Sequence, residues 1–462
     1  MEELTIFDIL YPTYKITKPI RLITLFSGYD SQALALKYLG VPFEHYKTCE
    51  WNIKSTQAIK DLHFENEDVS LNENRTKEEM VDFLYRKGIS SNWNEPMTKE
   101  QISKLSEKEI KTIIKNIAIT HNLVNIQQVK GKDLEIVDKD KYTYIMTYSF
   151  PCQDLSVGGL GKGMSDTSTR SGMLWEVERI LQECKDINAL PDVLLMENVP
   201  QVHGVDNLED FNKWKLRLEE MGYINYFQDL IATDYGIPQT RNRCFMVSIL
   251  GEYSYTFPKP IPLTTRLKDI LEDNVDEKYY LSDAMIKYLT DSVSSGGIDR
   301  SESFNRIQEK IQQDGIAATI TTNAGSRATD NYIVETTPKV VAGIGEKKSN
   351  GGRQFYQQDR IYDDNVSIAL ATGFAPYYKT GDKIRKLTPR ETGRLMGVKD
   401  EDINKILKRQ SDSSAFHLFG DSIVTNVLMA IFKEMLWIIQ CKRYGNRLKT
   451  LKINTRLVIL EE

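Results

Sequence analysis

The chain has 462 residues, 40% hydrophobic and 27% charged, with a formal net charge of −5. This is ordinary soluble composition, long enough for two or three domains, and the net charge does not by itself advertise a nucleic-acid binder. Five cysteines (Cys49, Cys152, Cys184, Cys244, Cys441) are scattered without a C-x-x-C pair, which argues against a disulfide framework or a zinc site and for reduced thiols in a cytosol.

The acidic opening Met1-Glu2-Glu3-Leu4 lacks a signal-peptide core. The longest apolar stretch, 423–441, is interrupted by Lys433 and Glu434, so it predicts a packed amphipathic helix and no membrane span.

Residues 21–26 (R-L-I-T-L-F) predict a short buried strand running into Ser27-Gly28-Tyr29-Asp30-Ser31, then a helix with Leu34, Leu36 and Leu39 on one side, closed by Gly40. Strand, glycine turn and helix open a nucleotide-binding sheet. With one glycine the G-x-G-x-x-G pyrophosphate signature is missing, so a nucleoside cofactor without a pyrophosphate, such as S-adenosylmethionine, fits better than NAD or FAD. A second strand ends in Cys49-Glu50-Trp51-Asn52. Glu50 follows Gly28 at about the spacing of a ribose-binding acid, and Trp51 could lie against an adenine face.

Residues 67–130 break the sheet pattern with a charged helical insertion. Three pairs mark N-caps, Thr76 with Glu79, Thr98 with Gln101 and Ser106 with Glu109; Ile110, Ile113, Ile114 and Ile117 form a packing stripe. Gly131-Lys132-Asp133-Leu134 is expected to return to the sheet, with Asp133 at a third strand end.

The β-rich run 142–148 predicts a buried strand that breaks at Pro151 and sets Cys152 at its carboxyl end. A loop rich in glycine and serine follows, with Ser156, Gly158, Gly159, Gly161 and Gly163, before helical spacing resumes at Leu174, Val177 and Leu181. A thiol at a strand end under a mobile loop is a candidate nucleophile, although free cysteines are equally often buried packing residues. Residues 192–196 predict another buried strand, ending in Glu197-Asn198, which brings Glu197 to the rim that carries Cys152. Further on, Gln239, Arg241 and Arg243 alternate on one face of an extended segment that enters a strand at 244–249. Such a pair of arginines needs an anionic or polar partner. Residues 339–399 hold 12 Lys/Arg against 6 Asp/Glu, either a solvated face or a phosphate-tracking surface.

Taken together, Phe150-Pro151-Cys152-Gln153, Glu197-Asn198-Val199, Gln239-x-Arg241-x-Arg243, Leu387-Thr388-Pro389-Arg390-Glu391 and Gly420-Asp421-Ser422 resemble, in order, the motifs of the DNA cytosine-5 methyltransferase family, bacterial or phage type. The similarity covers about 21–66, 131–250 and 384–431. Three departures stand out: Thr24 replaces the family's Asp, Asp30 and Ser31 replace two glycines, and Asp421 replaces an Asn.

The resemblance implies an α/β, Rossmann-like S-adenosylmethionine-dependent methyltransferase sheet with a smaller, mostly irregular or β target-recognition domain. Its expected layout is a catalytic domain over 1–66 and 131–252, the helical insertion 67–130, target recognition over 253–383, a return to the catalytic domain over 384–440 and a basic tail over 441–462. It also implies the chemistry. Cys152 adds to carbon 6 of a cytosine flipped out of duplex DNA, while Glu197, a carboxyl group able to carry a proton, bonds ring N3 and the amine. Arg243 holds ring O2 and Arg241 braces the loop. Phe26, Gly28, Tyr29, Glu50, Trp51, Asp133, Leu134, Pro151, Leu174 and Asp421 line the cofactor pocket, and Phe150, Gln153, Ser156 and Arg170 meet DNA. A cytoplasmic, nucleoid-associated monomer without a metal is expected, with a cognate restriction endonuclease left open as a partner. The nearest rival is a tRNA cytosine-5 methyltransferase. A silent DNA binder would lack the Cys152/Glu197 pair, and a cysteine hydrolase would need a histidine in the motifs.

Overall fold

A computed structural model describes residues 12–70, 75–151, 171–280, 282, 316–317, 319–320, 322, 332–335, 383–436, 452–453 and 456–457. Cys152, Gln153, Ser156 and Arg170 lie outside them, as does most of 281–382.

Six strands form the central sheet: β1 (Ile20–Leu25), β2 (Phe43–Cys49), β3 (Thr143–Tyr148), β4 (Val193–Asn198), β5 (Tyr223–Ile231) and β6 (Asn242–Leu250). Their order is β2-β1-β3-β4-β6-β5. The first four are mutually parallel along that order, and β6 runs antiparallel to β4 and β5. Successive side chains of a strand point to opposite faces. Leu22, Ile145, Leu195 and Val247 therefore enter one core, while Ile23, Met146, Met196 and Met246 enter the other. With both faces covered, all six positions of β3 and of β4 are buried. This is why 144–146 and 193–196 read as uninterrupted apolar runs.

Helices α1 (Ser31–Tyr38) and α2 (Ile53–His63) follow β1 and β2. The insertion then supplies α3 (Lys77–Lys87), α4 (Lys99–Ser103) and α5 (Glu107–Ile119). Each begins with the reciprocal capping box that its sequence predicts, for example Glu79 N–H to Thr76 Oγ1 at 3.2 Å and Thr76 N–H to Glu79 Oε2 at 2.8 Å. The insertion buries a core of its own around Met80, Leu84, Ile102, Ile110 and Ile114, against which Trp51 and Ile53 pack.

Gly131–Leu134 departs from expectation. It forms a 3-10 turn, not a strand. A side chain at Gly131 would lie 2.7 Å from the Cys184 backbone nitrogen, so glycine lets this turn press directly onto α6 (Leu174–Asp186). Asp133 spends its carboxylate on the Lys130 N–H at 2.9 Å, and Leu134 and Leu174 are wholly buried in the core.

After α7 (Leu208–Glu220) and the β5–β6 hairpin, the chain returns at 383–436. A small ladder pairs β7 (Tyr332–Glu335) with β8 (Lys383–Lys386). The Thr388-Pro389-Arg390-Glu391 motif that follows is a helix start. Thr388 caps α8 (Pro389–Leu395), proline fills the first position where no N–H is needed, and Glu391 closes the box. Glu391 also takes both prongs of buried Arg385 at 2.9 and 3.0 Å. Next come α9 (Asp400–Leu407), α10 (Asp412–Gly420) and α11 (Thr425–Met435). The stretch Asp412–Met435 is long and apolar enough to cross a membrane, but most of it is buried inside the fold, where α11 packs against α1.

Candidate functional site

The carboxyl ends of β2, β1, β3 and β4 lie side by side, with Cys49 beside Leu25, Leu25 beside Tyr148 and Tyr148 beside Met196. Two buried acids mark the two ends of this rim. Three strand spacings of about 4.8 Å put them roughly 15 Å apart.

At the β1/β2 end, the turn after β1 is built from left-handed residues: Phe26 (φ 57°), Gly28 (φ 57°) and Asp30 (φ 63°). A bulky residue such as Phe26 in that region costs about 1–2 kcal/mol, strain of a kind that collects at ligand clamps. A side-chain carbon added at Gly28 would meet nothing within 4 Å. The space over Gly28 is therefore open, and its N–H turns inward to donate to Glu50 Oε2 at 2.9 Å. Glu50 Oε1 accepts the Asn52 N–H at 2.7 Å. Burial pushes the Glu50 carboxyl up to about 7 against these two N–H donors, with the Asp421 charge adding to the rise. Trp51 is half-buried against the insertion, and Asp421 is exposed at the lip, 3.4 Å from His417. Tyr29 turns its side chain into the core, edge-on to Phe419, so only its backbone belongs to the turn.

The departures at 24 and 30 prove to be one feature. Thr24 Oγ1 donates to Asp30 Oδ2 at 2.9 Å. The same carboxylate caps α1 through the Ala33 N–H and pairs with His45 Nε2 at 2.6 Å. Burial opposes ionisation of Asp30, but the His45 partner outweighs it and holds the carboxyl below its usual value. Ser31 in turn bonds Ser422 at 3.1 Å, tying α1 to the turn before α11.

At the β3/β4 end, Glu197 is 5% exposed. Ser149 Oγ donates to its Oε2 at 2.6 Å, and Arg243 Nε lies 3.2 Å from its Oε1. Arg243 reaches Glu197 because β6 is antiparallel to β4, with Glu197 opposite Phe245 and Arg243 two residues along on the same face. Asn198 Nδ2 donates to the Phe150 carbonyl at 3.0 Å, which fixes the chain that leads to Pro151 and, one residue further, Cys152. Arg241, two residues before Arg243, is buried beside the returning chain. Its guanidinium donates to the carbonyls of Ile320, Gly420 and Ser422 at 2.7–3.1 Å, and Gln239 Nε2 holds the Leu395 carbonyl at 2.7 Å. Ser149 and Asn122, discussed below, were not expected from sequence.

The three described cysteines, Cys49, Cys184 and Cys244, are all buried, and burial pushes each thiol up, which suits packing and not nucleophilic attack. Ligand atoms of His203, Asp229 and Cys244 gather within 4.8 Å of one another, with His203 already paired to Asp229 at 2.9 Å.

Residues 83–437 match the family described as C-5 cytosine-specific DNA methylase. The type II methyltransferase M2.ScrFI of Lactococcus lactis subsp. cremoris is 31% identical over 423 residues, covering 90% of this chain and 99% of the relative. The orphan methyltransferase M.SssI of Spiroplasma monobiae is 29% identical over 427 residues, covering 91% and 98%. Among solved structures, the S. pombe Dnmt2 methyltransferase shares the fold with a TM-score of 0.52 at 15% identity, over 89% of this chain and 97% of that one.

Proposed function

The chain belongs to the C-5 cytosine-specific DNA methylase family and is a DNA (cytosine-5)-methyltransferase; on that premise we propose how its residues divide the work. The family is S-adenosylmethionine-dependent. The open space over Gly28 and the buried Glu50 carboxyl fit a nucleoside, whose ribose hydroxyls would donate to Glu50. Phe26, Gly28, Trp51, Pro151 and Asp421 would edge that pocket, with Tyr29, Leu134 and Leu174 backing it from the core and Asp133 holding its turn. When bound, S-adenosylmethionine supplies an electrophilic methyl group.

The rest is done by the chain. Cys152, as thiolate, forms a bond to carbon 6 of a flipped-out cytosine, moving ring electrons to carbon 5. Glu197 donates a proton to ring N3 as that charge develops, and accepts a hydrogen bond from the amine. Carbon 5 takes the methyl group. Its proton then leaves to a base, N3 returns its proton to Glu197 as the ring electrons return, and the Cys152 sulfur departs as thiolate. The single observation that carries this reading is the Glu197–Ser149–Arg243 cluster, standing on the strand next to the one that runs into Pro151-Cys152. Glu197 and Arg243, 3.2 Å apart, would take neighbouring positions on one ring edge, N3 going to the acid and O2 to the arginine. Arg241 acts as a brace, since it ties the approach to β6 to the Gly420 and Ser422 carbonyls.

Residues 1–66, 131–252 and 384–440 would form the catalytic unit and 253–383 would read the target, with Phe150, Gln153, Ser156 and Arg170 meeting DNA. Action as a cytoplasmic monomer, in the restriction–modification setting that the type II name of one relative denotes, completes the proposal. Methyl incorporation into unmodified duplex DNA and into tRNA tests it. Label in duplex DNA, mapped by bisulfite sequencing to one short sequence, is expected. Label in tRNA alone would overturn it.

A further inference from the structure

The insertion follows β2 and α2 in the chain and returns to the sheet through 120–124, and that return touches Glu50 itself. Thr48 N–H donates to the His121 carbonyl and Leu123 N–H donates to the Thr48 carbonyl, so the segment runs parallel to the end of β2. Within it, buried Asn122 uses one amide as a substitute for a neighbouring peptide group. Its Oδ1 accepts the Glu50 N–H at 3.0 Å and its Nδ2 donates to the Glu50 carbonyl at 2.8 Å. The second capacity of each atom is also filled, Oδ1 by the Val124 N–H at 2.9 Å and Nδ2 by Thr56 Oγ1 at 3.1 Å. No further hydrogen-bonding capacity is left over.

Two bonds to one residue's N–H and carbonyl fix that residue's backbone as a ladder partner would. At Glu50 they fix where the carboxylate points. The segment is held in an unfavourable backbone to do this, with His121 at φ 49° and the β-branched Val124 at φ 72°. Cys49 Sγ to the Val124 carbonyl at 3.5 Å and Thr48 Oγ1 to the Thr120 carbonyl at 3.0 Å hold it there.

We propose that Asn122 is a positioning residue for the cofactor, acting through Glu50, and that the 67–130 insertion serves the methyl-donor pocket by delivering it. This rests on the reading of Glu50 as the ribose-binding acid. Without Asn122 the end of β2 keeps its strand but loses the clamp at its last residue. The cofactor then pays to reorder Glu50 on binding.

The test is a double-mutant cycle on the full chain, read as Kd for S-adenosylmethionine by calorimetry together with KM and kcat. Asn122→Ala is expected to raise Kd and KM for the cofactor roughly tenfold, equivalent to about 1.4 kcal/mol, with kcat and DNA affinity within twofold. Asn122→Asp keeps the size and both acceptor contacts but loses both donors, and is expected to raise Kd in the same direction should the alanine variant not fold. In Glu50→Ala, which itself weakens cofactor binding, adding Asn122→Ala should weaken it no further. An Asn122 variant that folds and binds the cofactor normally overturns the proposal, as does a full additive loss in the double mutant. Normal cofactor binding by Glu50→Ala instead overturns the ribose reading beneath it.

Discussion

Glu50 and Glu197 are alike in burial and in position, 7% and 5% exposed at the ends of strands on one sheet, and unlike in what surrounds them. Glu50 is held by backbone N–H groups of Gly28 and Asn52, donors that the turn geometry fixes before any ligand arrives. Glu197 is held by a hydroxyl and a guanidinium at the ends of side chains, Ser149 and Arg243, which can swing aside. The first arrangement suits a partner bound in one pose. The second suits a ring that must be admitted, gripped and let go. An acid held by backbone and an acid held by side chains therefore share a single rim.

The comparison can be broken most severely at Glu197. Glu197→Gln keeps the Ser149 bond but cannot hand over a proton, so kcat should fall by about 10²–10⁴-fold, with Kd for S-adenosylmethionine unchanged. A parallel loss of cofactor affinity, measured by calorimetry, would show that the two ends are not separable. Arg385→Met tests an acid that belongs to neither. It strands buried Glu391 and should cost about 3–5 kcal/mol of unfolding free energy in urea titration, while surviving folded protein still binds the cofactor.

A gentler probe uses pH. The Glu50 carboxyl is raised from 4.5 to about 7 by burial, and ribose hydroxyls donate to its ionised form. Cofactor affinity should therefore strengthen by about tenfold between pH 6 and 8, with a proton released on binding, and Glu50→Gln should flatten the profile. In the ligand-free protein the sign reverses. The unfolded acid ionises first, so the Glu50 contribution to stability is full below 4.5 and is lost as pH rises toward 7. The smallest effect should come from the far side of the insertion, where Ser106→Ala removes a cap worth about 1 kcal/mol and leaves turnover as it was.

How much of this could be read from the chain follows from the range of each interaction. The capping boxes of α3, α4 and α5 were legible because a box is complete within four residues. Strands β3 and β4 were legible because burial on both faces keeps charged residues out of their middles, at 144–148 and 193–196. Edge strand β5 was not foreseen: it is half-exposed, with Phe227 facing solvent at 43% exposure, and its alternation is weak. The 131–134 turn is not legible as a turn, because a charged residue near a glycine looks the same in a 3-10 turn as at a strand end. Thr24 and Asp30 are visible as two separate departures, but only the 2.9 Å bond shows that they meet. Asn122 left no local signal, since it meets Glu50 from 72 residues away.

The claim on which the two-ended rim depends is that a sulfur from residue 152 attacks the base that Glu197 grips. The most direct measurement is trapping on duplex DNA carrying 5-fluorocytosine, where fluorine cannot leave as the proton does and the adduct persists. A covalent complex whose digest carries the modified base on Cys152, absent in Cys152→Ser although that variant binds S-adenosylmethionine normally, is the predicted result. Undiminished methyl transfer by Cys152→Ser, or an adduct on another residue, would contradict it.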